Sequence, residues 1–205
     1  MEQFDRFAEF QFDVLKEVGN IGAGNAATAL ASLLKTHVNM KVPQVQLVHF
    51  DDISDFVGGA EKVVIAIFLR IHGDAPGNMF FILTHESAKK LLNMLMGTVS
   101  EGEEFSEMEL SALHEIGNIL AGSYLSSLAD FTKLNLSPSV PAIAIDMAGA
   151  VLSYGLMELS MVGEYALLID TTFLDGNSEV EGHFFLLPDP DSFEKLFGAL
   201  GVPFE

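Results

Sequence analysis

Two asparagines, Asn20 and Asn118, each stand three residues after a glutamate, Glu17 and Glu115. On a helix that spacing puts amide and carboxylate on one face, within reach of a single ligand. An asparagine amide donates and accepts hydrogen bonds at once. It is neither a nucleophile nor a general base, but it can hold a water in line with a phosphorus atom, as the glutamine of small GTPases does. The neighbouring carboxylate can pair with a lysine of a docked partner and fix its register. Such catalysis works by positioning, with the phosphoryl group and any magnesium supplied by the partner. One turn earlier, Asp13 and Ser111 lie on nearly the same faces. A single Glu-x-x-Asn is an ordinary surface polar pair. What raises these above that reading is their recurrence.

The segments Asp13–Pro43 and Ser111–Pro141 align without a gap at an offset of 98 residues. Leu15, Glu17, Gly19, Asn20, Ile21, Ala23, Gly24, Leu30, Ala31, Lys35, Val42 and Pro43 all meet their own residue type. Each Asn is followed by a proline after 22 intervening residues, Pro43 and Pro141, both read as turn residues after the helix. Similarity resumes at an offset of 105, where Gly77, Phe80, Ser87 and Lys90–Leu91 meet Gly182, Phe185, Ser192 and Lys195–Leu196. The seven residues between the two offsets are assigned to the polar stretch Asp175–Glu179, as a lengthened loop between strands. The chain therefore reads as two similar halves, about 1–97 and 98–205, within one unit, joined by the polar, acidic stretch Gly97–Glu104.

Each half needs the same elements to position its pair. A long helix comes first, near 5–35 and 107–132, the second opened by a capping box of Ser106 and Glu109. Extended segments follow at Val45–Phe50 and Val63–Ile71, and again at Ala142–Asp146 and Tyr165–Leu174. A further strand, Met79–Leu83 or His183–Leu187, leads into a short helix near 85–96 or 190–199. Thr84 caps the first of these and Gly97 stops it. This pattern predicts an α+β fold with pseudo-two-fold symmetry, two long helices packed with antiparallel sheet. Gly19, Gly22 and Gly24, and Gly117 and Gly122, weaken the long helices, since each glycine costs about 1 kcal/mol relative to alanine. Close approach of the sister helix or a docked partner would account for them.

Composition narrows the partner class. Hydrophobic residues make up 49% and charged residues 19%, which excludes a disordered chain. A formal net charge of -19 repels phosphate backbones and anionic lipid, so neither nucleic acid nor a membrane is expected as a partner. The absence of cysteine excludes disulfides and thiolate chemistry. The N-terminal stretch lacks the pattern of a signal peptide, and cytoplasmic location is the expectation. No two of the six histidines have metal-ligand spacing on one element, so no metal site is expected, and His114 reads as a surface residue. Phe4, Phe7, Phe10 and Phe12 read as packing residues, and Glu101–Glu104 as solvated linker.

The spaced pattern Asp/Ser-x3-Glu-x2-Asn-x22-Pro, present as Asp13, Glu17, Asn20, Pro43 and as Ser111, Glu115, Asn118, Pro141, resembles the signature of the CheC/CheX/FliY phosphatases of bacterial chemotaxis. The resemblance implies hydrolysis of the aspartyl phosphate on the response regulator CheY, with Asn orienting the water and Glu engaging a lysine of CheY. It implies no cofactor of the chain's own, magnesium in the partner, and CheD, a receptor-modifying deamidase, as a second partner of a chain that is a monomer alone. A non-catalytic chemotaxis or flagellar-switch adaptor binding CheY or CheD is the alternative. The halves differ around the signature: Gly22 meets Leu120, Asn25 meets Ser123, and Ala26–Ala27 meets Tyr124–Leu125.

Overall fold

The computed structural model describes residues 9–35, 37–97, 102, 104–158, 165–175 and 178–200. Phe4 and Phe7, Glu101 and Glu103, and the start of the helix expected from residue 5 lie outside them. Helix α1 spans Glu9–Leu34 and is followed by β1 (Asn39–Lys41), β2 (Val45–His49), a 3-10 turn at Phe50–Asp52 and the short α2 (Ile53–Phe56). Strands β3 (Val63–Gly73) and β4 (Gly77–Thr84) form a hairpin that runs into α3 (His85–Met96). The second half repeats the plan with α4 (Glu107–Thr132), β5 (Leu136–Pro138), β6 (Ala142–Met147), α5 (Ala148–Glu158), β7 (Tyr165–Asp175), β8 (Ser178–Pro188) and α6 (Pro190–Ala199).

The eight strands make one antiparallel sheet with the halves interlocked. Its central path is β1-β7-β8-β4-β3-β5, with β2 also on β7 and β6 also on β3. The first strands of each half thus pair with the hairpin of the other. The apolar run Val63–Leu69 lies in a central strand that is buried on both faces over Val64–Ile67, which is why it lacks polar alternation. Pairing also locates the extra residues of the second half. Leu47 faces Leu167 and Ile145 faces Ile65. Leu47 and Ile145 are 98 apart, whereas Ile65 and Leu167 are 102 apart, so four of the seven lie between β6 and β7, where α5 stands. Leu83 and Leu186, opposite Ile65 and Leu167, are 103 apart, so the β7–β8 hairpin holds only one more. The remaining two precede α6, because Thr84 and Asp189, at the N-caps of α3 and α6, are 105 apart. The expectation that Asp175–Glu179 holds all seven is corrected accordingly.

One face of the sheet carries α1, α4 and the larger core, including Leu30, Ile67, Phe81, Leu120 and Phe184. The other face is covered by α2 and α5 over Ile53, Val64, Ile82 and Phe185. The long helices meet closely: a Cβ on Gly22 would come within 2.9 Å of Tyr124 Cδ1 and 3.1 Å of its Cα. The Tyr124 ring is buried against Phe184, and its hydroxyl is 2.9 Å from Thr171 Oγ1. Burial raises the pKa of that phenol, so it stays protonated. Helix α4 begins at the expected capping box, in which Ser106 Oγ accepts from the Glu109 amide and Glu109 Oε2 accepts from the Ser106 amide. Glu109 is also paired with Lys89 of α3 at 3.5 Å, which ties the start of α4 to the first half.

Candidate functional site

Asp13, Glu17 and Asn20 share the solvent side of α1, because Leu15, Val18, Ala23 and Ala26 take the opposite side into the core. Ser111, Glu115 and Asn118 do the same on α4, opposite Leu113, Ile116, Leu120 and Ala121. All six of these site residues are exposed except Asn20, which is half-buried. The structure therefore presents both pairs at the surface. A cavity of about 590 Å³ beside the start of α4 is lined by Val63, His85, Glu104, Phe105, Leu110 and Ile145, and none of the eight signature residues lines it.

The two asparagines differ in what they already bind. Asn20 Oδ1 accepts from the Val42 amide at 2.9 Å. Its Nδ2 donates to the Val42 carbonyl at 3.2 Å and to the Lys16 carbonyl at 3.0 Å. Both amide hydrogens and one acceptor site of Asn20 are thus engaged within the chain. Val42 is buried over Gly19, whose added Cβ would sit 3.4 Å from both Val42 methyls. The Asn118 side chain makes no hydrogen bond among the described residues. Val140, the counterpart of Val42, is 83% exposed. Its carbonyl accepts from Ser139 Oγ at 3.2 Å, while Ser139 Oγ accepts from the Arg70 amide at 3.0 Å.

The structure corrects one sequence reading and refines another. His114 is half-buried rather than a surface residue, and its Nε2 lies 2.8 Å from the Pro141 carbonyl. The prolines do not follow the helices directly, since β1 precedes Pro43 and β5 precedes Pro141. Pro43 is exposed and Pro141 buried. The signal that could have singled out His114 was the substitution at its aligned position, where the first half has Lys16. Among the described residues no group of three or more His, Asp or Glu could hold a metal ion, and no helix is long and apolar enough to cross a membrane.

The pattern of the CheC-like family matches residues 10–47 and 108–145, the two segments that carry the pairs. The CheY-P phosphatase CheC of Bacillus subtilis (strain 168) is 52% identical over 207 residues, covering 98% of this chain and 99% of that protein. The chain belongs to the CheC-like family. The flagellar motor switch phosphatase FliY of the same organism is 28% identical over 140 residues, 66% of this chain and 36% of its own length. In three dimensions, Thermotoga maritima FliY superposes with a TM-score of 0.74 at 19% identity, covering 96% of this chain and 98% of that one, which establishes the shared fold.

Proposed function

We propose that this CheC-like chain is a protein phosphatase that hydrolyses the aspartyl phosphate of the response regulator CheY. The observation that carries the reading is the paired exposure of Glu115 and Asn118 on one helical face, with the Asn118 amide unengaged among the described residues and available to hold a water. Glu115 and Glu17 engage a lysine of the docked regulator, and Asp13 and Ser111 support the same faces. Pro43 and Pro141 belong to the segments that return beside the two helices. Magnesium belongs to the regulator in this reading. Full-length identity to a protein named for CheY-P hydrolysis supports it.

The two sites are unequal in this reading. Asn20 must give up bonds to Val42 or Lys16 before it can bind water through its amide hydrogens, whereas Asn118 need not. The Glu115–Asn118 site therefore carries the larger share of turnover. CheD as a second partner, a monomeric state and a cytoplasmic location complete the proposal. CheD is tested by co-purification and the monomer by sedimentation.

The deciding experiment uses CheY phosphorylated with a small-molecule donor, then freed of the donor. Phosphate loss is followed with wild type, Asn20→Ala, Asn118→Ala and the double variant. Acceleration by wild type, a large loss in Asn118→Ala, a smaller one in Asn20→Ala and none remaining in the double variant is the expected result. Binding of CheY without acceleration would instead identify an adaptor.

A further inference from the structure

We infer that His114 and Ser139 are positioning residues of the second site, which hold the segment after β5 and so leave the Asn118 amide free for water. The inference rests on the phosphatase reading above. It starts from a structural task common to both halves: the segment around the signature proline must be fixed beside the helix, and its backbone groups must be satisfied.

At the offset of 98, Lys16, Asn20, Lys41, Val42 and Pro43 correspond to His114, Asn118, Ser139, Val140 and Pro141. In the first half Asn20 is the side chain that performs the task, bonding both the amide and the carbonyl of Val42, beside the backbone pairing of Lys41 with Thr172. In the second half the work is divided differently. Ser139 donates to the Val140 carbonyl and is held by β3, since its amide donates to the Arg70 carbonyl at 2.8 Å and its hydroxyl accepts from the Arg70 amide. His114 reaches the Pro141 carbonyl, and because a carbonyl only accepts, Nε2 is the donor. The side-chain contacts of His114 and Ser139 have no counterpart in the first half, where position 16 is a lysine and position 41 a lysine that pairs with Glu179, whereas the Ser139–Arg70 backbone bond matches the pairing of Lys41 with Thr172. The result is a second segment pinned without the use of Asn118.

The test uses the full chain with Asn20→Ala, so that only the second site turns over, and CheY phosphorylated as above. His114→Ala is expected to lower kcat about ten-fold or more while KM stays within about two-fold, since misplacement of the amide affects the reacting geometry more than docking. His114→Gln, whose amide can still donate to Pro141, is expected to recover most of kcat. Ser139→Ala is expected to lower kcat in the same sense. Side-chain amide signals in nitrogen-15 spectra give a second readout: those of Asn118 should become protected from exchange in His114→Ala, as it takes over the role that Asn20 has in wild type. An unchanged kcat in His114→Ala or Ser139→Ala, or no recovery in His114→Gln, would overturn the inference while leaving the phosphatase reading intact. If His114→Ala does not fold, Ser139→Ala and His114→Gln decide. No phosphate release from the parent Asn20→Ala protein would mean that the phosphatase reading of this site itself fails.

Discussion

At the scale of single residues, the same side chain does two jobs in the two halves. Sequence made Glu17, Asn20, Glu115 and Asn118 legible through type, spacing and repetition, and the structure places all four on the solvent side of α1 and α4. It did not reveal that Asn20 is engaged, because that depends on where Val42 returns, a long-range event with no local sequence signal. The difference predicts unequal stability effects. Asn20→Ala leaves the Val42 amide and carbonyl without their partners and should cost about 1–3 kcal/mol. Asn118→Ala removes no hydrogen bond among the described residues and should change stability by less than about 0.5 kcal/mol. Urea unfolding of both variants checks this, and equal losses would contradict the engaged and free assignments.

At the scale of elements, the helices and most strands were read close to their observed limits, because apolar spacing and caps are local, whereas β8, read as His183–Leu187, begins at Ser178, where its polar start looked like loop. α5 went unread: its sequence, Ala148–Glu158, is largely apolar with glycines inside and gives no cap signal. β1 and β5, three residues each, exist through their pairing with β7 and β3 and carry no periodicity of their own. The helix glycines separate into two kinds. Gly22 sits against Tyr124, so Gly22→Ala should destabilise by about 1–3 kcal/mol through overpacking. Gly122, one turn after Asn118, has nothing within 4 Å of an added Cβ. Gly122→Ala should therefore stabilise the chain by up to about 1 kcal/mol. If a docked regulator uses that space, KM for phosphorylated CheY should rise in the same variant. A more stable variant with unchanged KM would show that the partner does not approach there.

At the scale of the whole molecule, the sequence showed two similar halves but not that they exchange strands. β1 and β2 of the first half lie on β7, while β5 and β6 of the second lie on β3. α1 and α4 also pack on one another through Gly22 and Tyr124. A lone half would therefore expose both edges of its hairpin and the buried side of its long helix, surfaces that drive aggregation. Fragments 1–97 and 98–205 are expected to lack a cooperative unfolding transition when made separately. Made together, they should form a one-to-one complex with the circular dichroism of the intact chain, because the break falls after Gly97, the C-cap of α3, and before the start of α4. Sedimentation and urea unfolding of each fragment and of the mixture provide the check. A cooperative transition in fragment 1–97 alone would mean that its own core suffices, and that the strand exchange adds to a fold already stable in each half.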